Sequence, residues 1–173
     1  MQLKEAKALL QNEYLLSQKN TSVWADLGCG SGLFTNALSH YLKTGSRIYA
    51  VDKINRLNSE GANIGVEVIP LKADFETAVL HLGKLDGVLM ANSLHYIKDK
   101  PSFLAKCKQD FSNETFLVIE YDTDIPVPRW VPYPISFSFL TALFQEAGFN
   151  KIVKLSERPS SYGRSNMYSA LIR

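Results

Sequence analysis

Cysteine is almost missing from this 173-residue sequence: only Cys29 and Cys107 occur, far apart and in no zinc-binding or C-x-x-C spacing. That scarcity excludes a disulfide framework, gives no metal-binding pattern, and sets the expectation of a reducing, cytoplasmic location. Long apolar runs are missing as well. No stretch approaches the ~20 residues that cross a bilayer, so no membrane contact is expected. The amino-terminal "MQLKEAKALLQNEYLL" carries acidic residues and no cleavage-site pattern, and is expected to be a helix, within residues 1–20, packed on the domain. An excess of one charge is also lacking, since 19 Lys and Arg stand against 17 Asp and Glu. Nucleic acid is therefore not an expected partner, and Lys98, Lys100, Lys106 and Lys108 read as a solvated helix face. Repeats, low-complexity segments and linkers are absent too. One domain over residues 1–173 is expected, long enough to bury a continuous core.

What the chain does have is an alternation of two periods. Leu3, Ala6, Leu9, Leu10 and Leu16 recur at helical spacing and predict one amphipathic helix over 3–16. "TSVWADL" reads as a strand. Past it, Leu33, Phe34, Ala37, Leu38, Tyr41 and Leu42 predict a helix that Gly45 stops. The runs "RIYAVD", "VEVIPL", "LDGVLMA" and "TFLVIEY" read as buried strands, with short helices expected at 55–63 and 76–82 and a longer one from Asp99 and Pro101. Continuous apolar strands alternating with helices produce a parallel sheet covered on both faces. After the proline-rich "DIPVPRWVPYP", a helix is expected over 136–147, ended by Gly148. "FNKIVKLSER" and "RSNMYSALIR" then follow with no helix between them, which requires an antiparallel pair. The expected fold is α/β, Rossmann-like and doubly wound: a mostly parallel seven-stranded sheet ending in an antiparallel β-hairpin.

The stretch "VWADLGCGSGLFTNAL" places Gly28, Gly30 and Gly32 at the first strand-to-helix crossing of that sheet, where backbone can approach a ligand and a helix offers free N–H groups. A turn without a ligand is the plainer reading, but one glycine would satisfy it. Leu33 stands where a dinucleotide fingerprint needs its third glycine, and no P-loop pattern occurs. Asp26, ahead of the glycines, suits an ammonium group better than a phosphate. Asp52, closing "RIYAVD", has the spacing of a ribose reader, though a solvated strand-end charge would look the same.

"ADLGCGSG" resembles the acidic-x-Gly-x-Gly-x-Gly motif of the class I S-adenosylmethionine-dependent methyltransferases, in particular their small type 11, 12 and 25 members, and the resemblance extends over nearly the whole chain. It implies that Gly28, Cys29, Gly30 and Gly32 lie against the methionine part and ribose of S-adenosyl-L-methionine, with Asp26 near its amino acid end. It further implies that Asp52, with Lys53 beside it, meets the ribose hydroxyls. "KADF" matches the family's adenine-contacting position with Asp74 and Phe75, although Asp74 also suits a helix cap. "LDGVLMANSLHYI" matches the fourth-strand motif, where Asn92, Ser93 and Leu94 would line the cofactor and His95 and Tyr96 would face the methyl group. The terminal hairpin is similar as well.

Methyl transfer from a sulfonium needs alignment at about 3 Å and exclusion of water; a base is needed only when the acceptor carries a proton to be lost. His95 is the candidate base, with a packing or capping role as its alternative. The chain has "NSLH" where amino-directed nucleic acid methyltransferases carry an Asn/Asp-Pro-Pro-aromatic run, which points away from bases. The expected acceptor is a small molecule methylated on oxygen or nitrogen. Tyr96, Tyr121, Arg129, Trp130 and Tyr133 are its candidate binding residues: Arg129 for a carboxylate, Trp130 and Tyr133 for an apolar wall, unless these aromatics only cover the sheet edge. Insertions that form a lid are short here, so the acceptor pocket is expected to be open or completed by a second copy in a homodimer. The alternative function is a catalytically silent methyltransferase-like binding module or scaffold. No metal is implied.

Overall fold

A computed structural model describes residues 1–54, 56–112, 115–160 and 165–173. Seven strands form one sheet: β1 (Val23–Leu27), β2 (Arg47–Asp52), β3 (Glu67–Lys72), β4 (Gly87–Ala91), β5 (Phe116–Tyr121), β6 (Ile152–Pro159) and β7 (Asn166–Ile172). Their order across the sheet is β3-β2-β1-β4-β5-β7-β6. The first five are parallel, and β7 enters antiparallel between β5 and β6. The sheet is therefore the expected doubly wound one with a terminal hairpin. The strand order reverses between β1 and β4, so the segments leaving their carboxyl ends diverge and open a crevice, the usual ligand site of such sheets.

Side chains alternate across each strand and build one core on each face. Ala25, Leu27, Val88, Met90, Phe116 and Val118 pack on one side against Phe103, Leu104 and Phe111 of α4 (Lys100–Phe111) and Leu140 and Phe144 of α5 (Phe137–Glu146). Trp24, Ile48, Leu89, Leu117 and Ile119 point to the other side, against Ala6, Leu9 and Leu10 of α1 (Leu3–Leu10) and Phe34, Ala37 and Leu38 of α3 (Leu33–Ser39). Asp99 caps α4 by accepting the Ser102 N–H at 3.1 Å, and Ser136 caps α5 through Phe139 at 3.3 Å, where the sequence placed both starts.

Several expected helices are corrected. The amino-terminal one is broken into α1 and α2 (Glu13–Ser17), because Asn12 takes an extended conformation and caps the second piece, its side chain accepting the Leu15 N–H at 3.0 Å. α3 ends at Ser39, short of Tyr41 and Leu42. Residues 56–63 are turn and coil, while Asn55 lies outside the described residues. Over 76–82 only a turn forms: the Asp74 carboxylate accepts the Glu76 N–H at 3.1 Å, but no continuing helix follows. No helix among the described residues is long and apolar enough to cross a membrane.

Two buried contacts fix β1. The Trp24 ring covers the start of β4 so closely that a Cβ on Gly87 would run into it. Asp26, fully buried, accepts the Thr35 hydroxyl at 2.6 Å and so ties β1 to α3; its other oxygen has no partner among the described residues. Burial pushes this carboxyl up to about 7, against the Thr35 hydrogen bond and with help from the charge on Asp52. The native state therefore holds a proton that the unfolded chain releases above its usual 3.8.

Gly87→Ala should lose about 1–3 kcal/mol by overpacking, read as a lower urea midpoint; an unchanged midpoint would mean that the Trp24 ring yields freely. For Asp26, the raised native pKa means that stability falls as pH rises from about 4 to about 7 and is level above. Asp26→Asn keeps the acceptor for Thr35 and removes this slope. It should match the wild type near pH 4 and exceed it at pH 8 by as much as about 4 kcal/mol. Parallel stability curves for the two proteins would show that Asp26 is ionised in the native state.

Candidate functional site

The glycine loop, residues 28–32, is laced to β2, with the Gly28 and Cys29 N–H groups donating to Val51 O at 2.8 and 3.1 Å. All three glycines hold positive φ, at 86°, 55° and 89°, which L side chains rarely adopt. They differ in what they face. A Cβ on Gly28 would stand 2.5 Å from Ser93 Cβ, and one on Gly32 would stand 2.6 Å from the Leu57 side chain and 3.1 Å from Asn58 O. A Cβ on Gly30 would meet nothing within 4 Å. Of the expected ligand-facing glycines, Gly30 alone opens to free space on that side, while Gly28 and Gly32 admit neighbouring chain. Cys29 is no nucleophile: burial, with Asp26 and Asp52 close by, pushes its thiol up to about 12.

Asp52 ends β2 beside this loop, half-buried, with Oδ2 accepting the Gly30 N–H at 2.9 Å and Oδ1 the Ile54 N–H at 2.8 Å. Each oxygen keeps a further lone pair. Lys53 and Asp74 meet at 3.0 Å across the ends of β2 and β3. Partial burial raises the Asp74 carboxyl, but the hydrogen bonds from Lys53 and the Glu76 N–H outweigh it and leave it below the usual range. Phe75, expected beside a bound ring, is buried, edge-on to Phe103 at 5.9 Å, with its ring edge beside the glycine loop at Gly28.

At the end of β4 the expected run of five site residues, Asn92 to Tyr96, splits. Ser93 and Leu94 are buried and structural: the Ser93 hydroxyl donates to Leu27 O at 2.6 Å, and Leu94 is wholly enclosed. Asn92, at φ 53°, and His95 belong to the wall of a cavity. His95 is 2% exposed, and Glu120 of β5 is 1% exposed. The Glu120 carboxylate accepts both the His95 backbone N–H, at 3.1 Å, and Nδ1, at 2.6 Å. With Nδ1 engaged by Glu120, Nε2 is the ring nitrogen left for a ligand. That atom and Asn92 Oδ1 are buried without a partner among the described residues, each at a cost of about 1–3 kcal/mol. The sequence reading missed Glu120, although a lone acid inside the apolar "TFLVIEY" is the signal that marks it.

The cavity has a volume of about 780 Å³ and lies beyond the carboxyl ends of β4 and β5. It gathers His95, Tyr96, Tyr121 and Trp130 of the expected residues, together with Asn92, and Ile125 and Val127 of the segment after β5. Arg129 and Tyr133 are not among its lining residues. Arg129 sits exposed at φ 69° in a tight turn closed by the Val127 and Val131 bridge. Tyr133 works through its backbone instead: its N–H donates to His95 O at 3.0 Å, and its carbonyl accepts from Lys100 Nζ at 2.8 Å. Lys100 is accordingly not a solvated charge. It is buried, also donates to Ile97 O at 2.9 Å, and burial lowers its pKa against the pull of Glu120. Among the described residues no cluster of three His, Cys, Asp or Glu could hold a metal ion.

Among curated proteins none matches this sequence. Solved structures do. The chain superimposes on EvdMO1 with a TM-score of 0.63 at 22% identity, over 99% of this chain and 40% of that one, so it spans well under two thirds of that protein's length. A SAM-dependent methyltransferase from Leishmania major matches with a TM-score of 0.69 at 20% identity, over 97% of this chain and 71% of that one. The 1,6-didemethyltoxoflavin-N1-methyltransferase of Burkholderia thailandensis, solved with 1,6-didemethyltoxoflavin and S-adenosylhomocysteine, matches at 0.66 and 17% identity, over 99% of this chain and 77% of that one. At these identities the likeness establishes the fold. The methyltransferase domain family matches in sequence over residues 25–119, from the strand before the glycine loop to the strand that carries Glu120. The chain thus belongs to the methyltransferase domain family, of the class I, S-adenosylmethionine-dependent type that its motifs resemble.

Proposed function

We propose that this chain transfers a methyl group from S-adenosyl-L-methionine to an oxygen or nitrogen of a small molecule seated in the 780 Å³ cavity. The residues present fit the cofactor. Open space at Gly30 leaves room against the loop backbone, and Asp52 at its side has lone pairs for two hydroxyls. Asp26, two residues before Gly28, keeps one buried carboxyl oxygen without a partner among the described residues. Asp74, held by Lys53, stands at the end of β3 for the base. When bound, the cofactor supplies a methyl group on a sulfonium whose positive charge is lost on transfer.

The observation that carries the acceptor reading is the His95 and Glu120 pair in the cavity wall. Glu120 orients the imidazole and stabilises the charge it gains when Nε2 takes a proton from an acceptor hydroxyl. Nε2 is sealed from water in this structure, so entry of the acceptor must part the wall beside Tyr96, whose ring lies 4.4 Å from the imidazole. Trp130 and Tyr121 form the apolar side, and the Lys100 and Tyr133 hydrogen bonds hold the segment after β5 against the β4 loop. EvdMO1 and the Burkholderia enzyme, solved with D-fucose and 1,6-didemethyltoxoflavin respectively, support a small acceptor by analogy. A homodimer and a cytoplasmic location are further parts of the proposal.

Calorimetry should show binding of S-adenosylmethionine and S-adenosylhomocysteine, weakened at least tenfold in Asp52→Ala, where charge-assisted bonds of about 1.5–3 kcal/mol are lost. Absence of binding at millimolar ligand would refute the cofactor assignment. With labelled cofactor and a panel of small hydroxyl and amine acceptors, His95→Ala should slow methyl transfer about a hundredfold at nearly unchanged cofactor affinity. A change of a few fold would reduce His95 to packing.

A further inference from the structure

Resting on the cavity as the acceptor site, its polar content says more about the acceptor. The two buried atoms without partners among the described residues, Asn92 Oδ1 and His95 Nε2, belong to side chains three positions apart after β4 that both line the cavity. Asn92 Oδ1 is a hydrogen-bond acceptor, and His95 Nε2 is one in the tautomer whose Nδ1–H donates to the Glu120 carboxylate. Asn92 keeps this place at φ 53°, a left-handed conformation that Asn tolerates better than most residues. A carboxylate, phosphate or ketone would set lone pair against lone pair here. A single hydroxyl would leave one of the two unsatisfied. Around them Tyr96, Tyr121 and Trp130 offer flat apolar surface.

We infer that the acceptor is a ring bearing two adjacent hydroxyls, one donating to Asn92 Oδ1 and the other to His95 Nε2, with a ring face against the aromatic wall. The hydroxyl at Nε2 is the one methylated: its O–H bond breaks and the proton passes to the imidazole. The oxygen's electron pair forms the bond to the methyl carbon, and the carbon–sulfur pair returns to sulfur. The other hydroxyl fixes which of the two oxygens reacts. An aromatic diol and a sugar edge share this chemistry.

The test is calorimetry on the full chain, with S-adenosylhomocysteine present, using catechol, D-fucose, 1,2-dimethoxybenzene and benzoate. Catechol or D-fucose should bind at least tenfold more tightly than both dimethoxybenzene and benzoate, and which of the two does so separates an aromatic from a sugar acceptor. Asn92→Gly keeps the left-handed backbone and removes the amide; it should weaken the diol about tenfold and leave dimethoxybenzene unchanged. Equal binding of dimethoxybenzene or benzoate, no diol binding at millimolar concentration, or an unaltered diol affinity in Asn92→Gly overturns the inference. The S-adenosylhomocysteine titration is read separately, so a failed methyl-transfer reading is distinguished from a failed diol site.

Discussion

A carboxylate buried at the end of the fifth strand organises the wall of the cavity proposed for the acceptor. Glu120 is enclosed by the sheet and the loop after β4, and its two oxygens accept the backbone and ring N–H groups of one residue, His95. Removing one partner of such a buried pair typically costs about 3–5 kcal/mol, because the other is left uncompensated. The pair therefore sets where the β4 loop runs. From that loop hangs the segment after β5, with Tyr133 N–H on His95 O and Lys100 Nζ bridging Ile97 O and Tyr133 O, while the Tyr168 hydroxyl of β7 holds Ile135 O at 2.9 Å. Cavity wall and candidate base thus share one anchor.

The cofactor side follows a different economy. Three glycines serve two ends: Gly28 and Gly32 let Ser93 and the 57–58 segment pack against the loop, and only Gly30 leaves open space. Ser93 closes the circuit by bonding Leu27 O, joining the ends of β1 and β4 at the reversal of strand order. Ser93 meets the glycine loop at Gly28, and Asn92, its neighbour, lines the cavity. The two ligand regions meet at this pair of residues.

Much of this was legible in the sequence, for reasons that separate cleanly. Strands β1, β2, β4 and β5 are apolar runs because both faces are covered, whereas β3, expected to be buried, is the half-exposed edge strand; the starts of α4 and α5 carry their caps in Asp99 and Ser136. Residues 56–63 form turn and coil, a short polar window with little apolar face to pack; at 76–82 Leu80 reaches the core from a turn without helix, and Asn12 outcompeted helix continuation with its own cap. Side-chain roles were harder. Lys100 looked solvated until the loop carbonyls of Ile97 and Tyr133 were brought to it, and Phe75, Ser93 and Leu94 matched a motif yet face the interior. Such outcomes depend on contacts distant in sequence, which residue spacing does not encode.

The central claim is that Glu120 holds the Nδ1 proton of His95 and so leaves Nε2 as an acceptor in the cavity wall. Long-range proton–nitrogen NMR of the imidazole reads this directly. The account predicts a protonated Nδ1 with a strongly deshielded proton that shifts in Glu120→Gln, and a bare Nε2. A neutral ring protonated at Nε2, or an Nδ1 signal indifferent to Glu120, would contradict it.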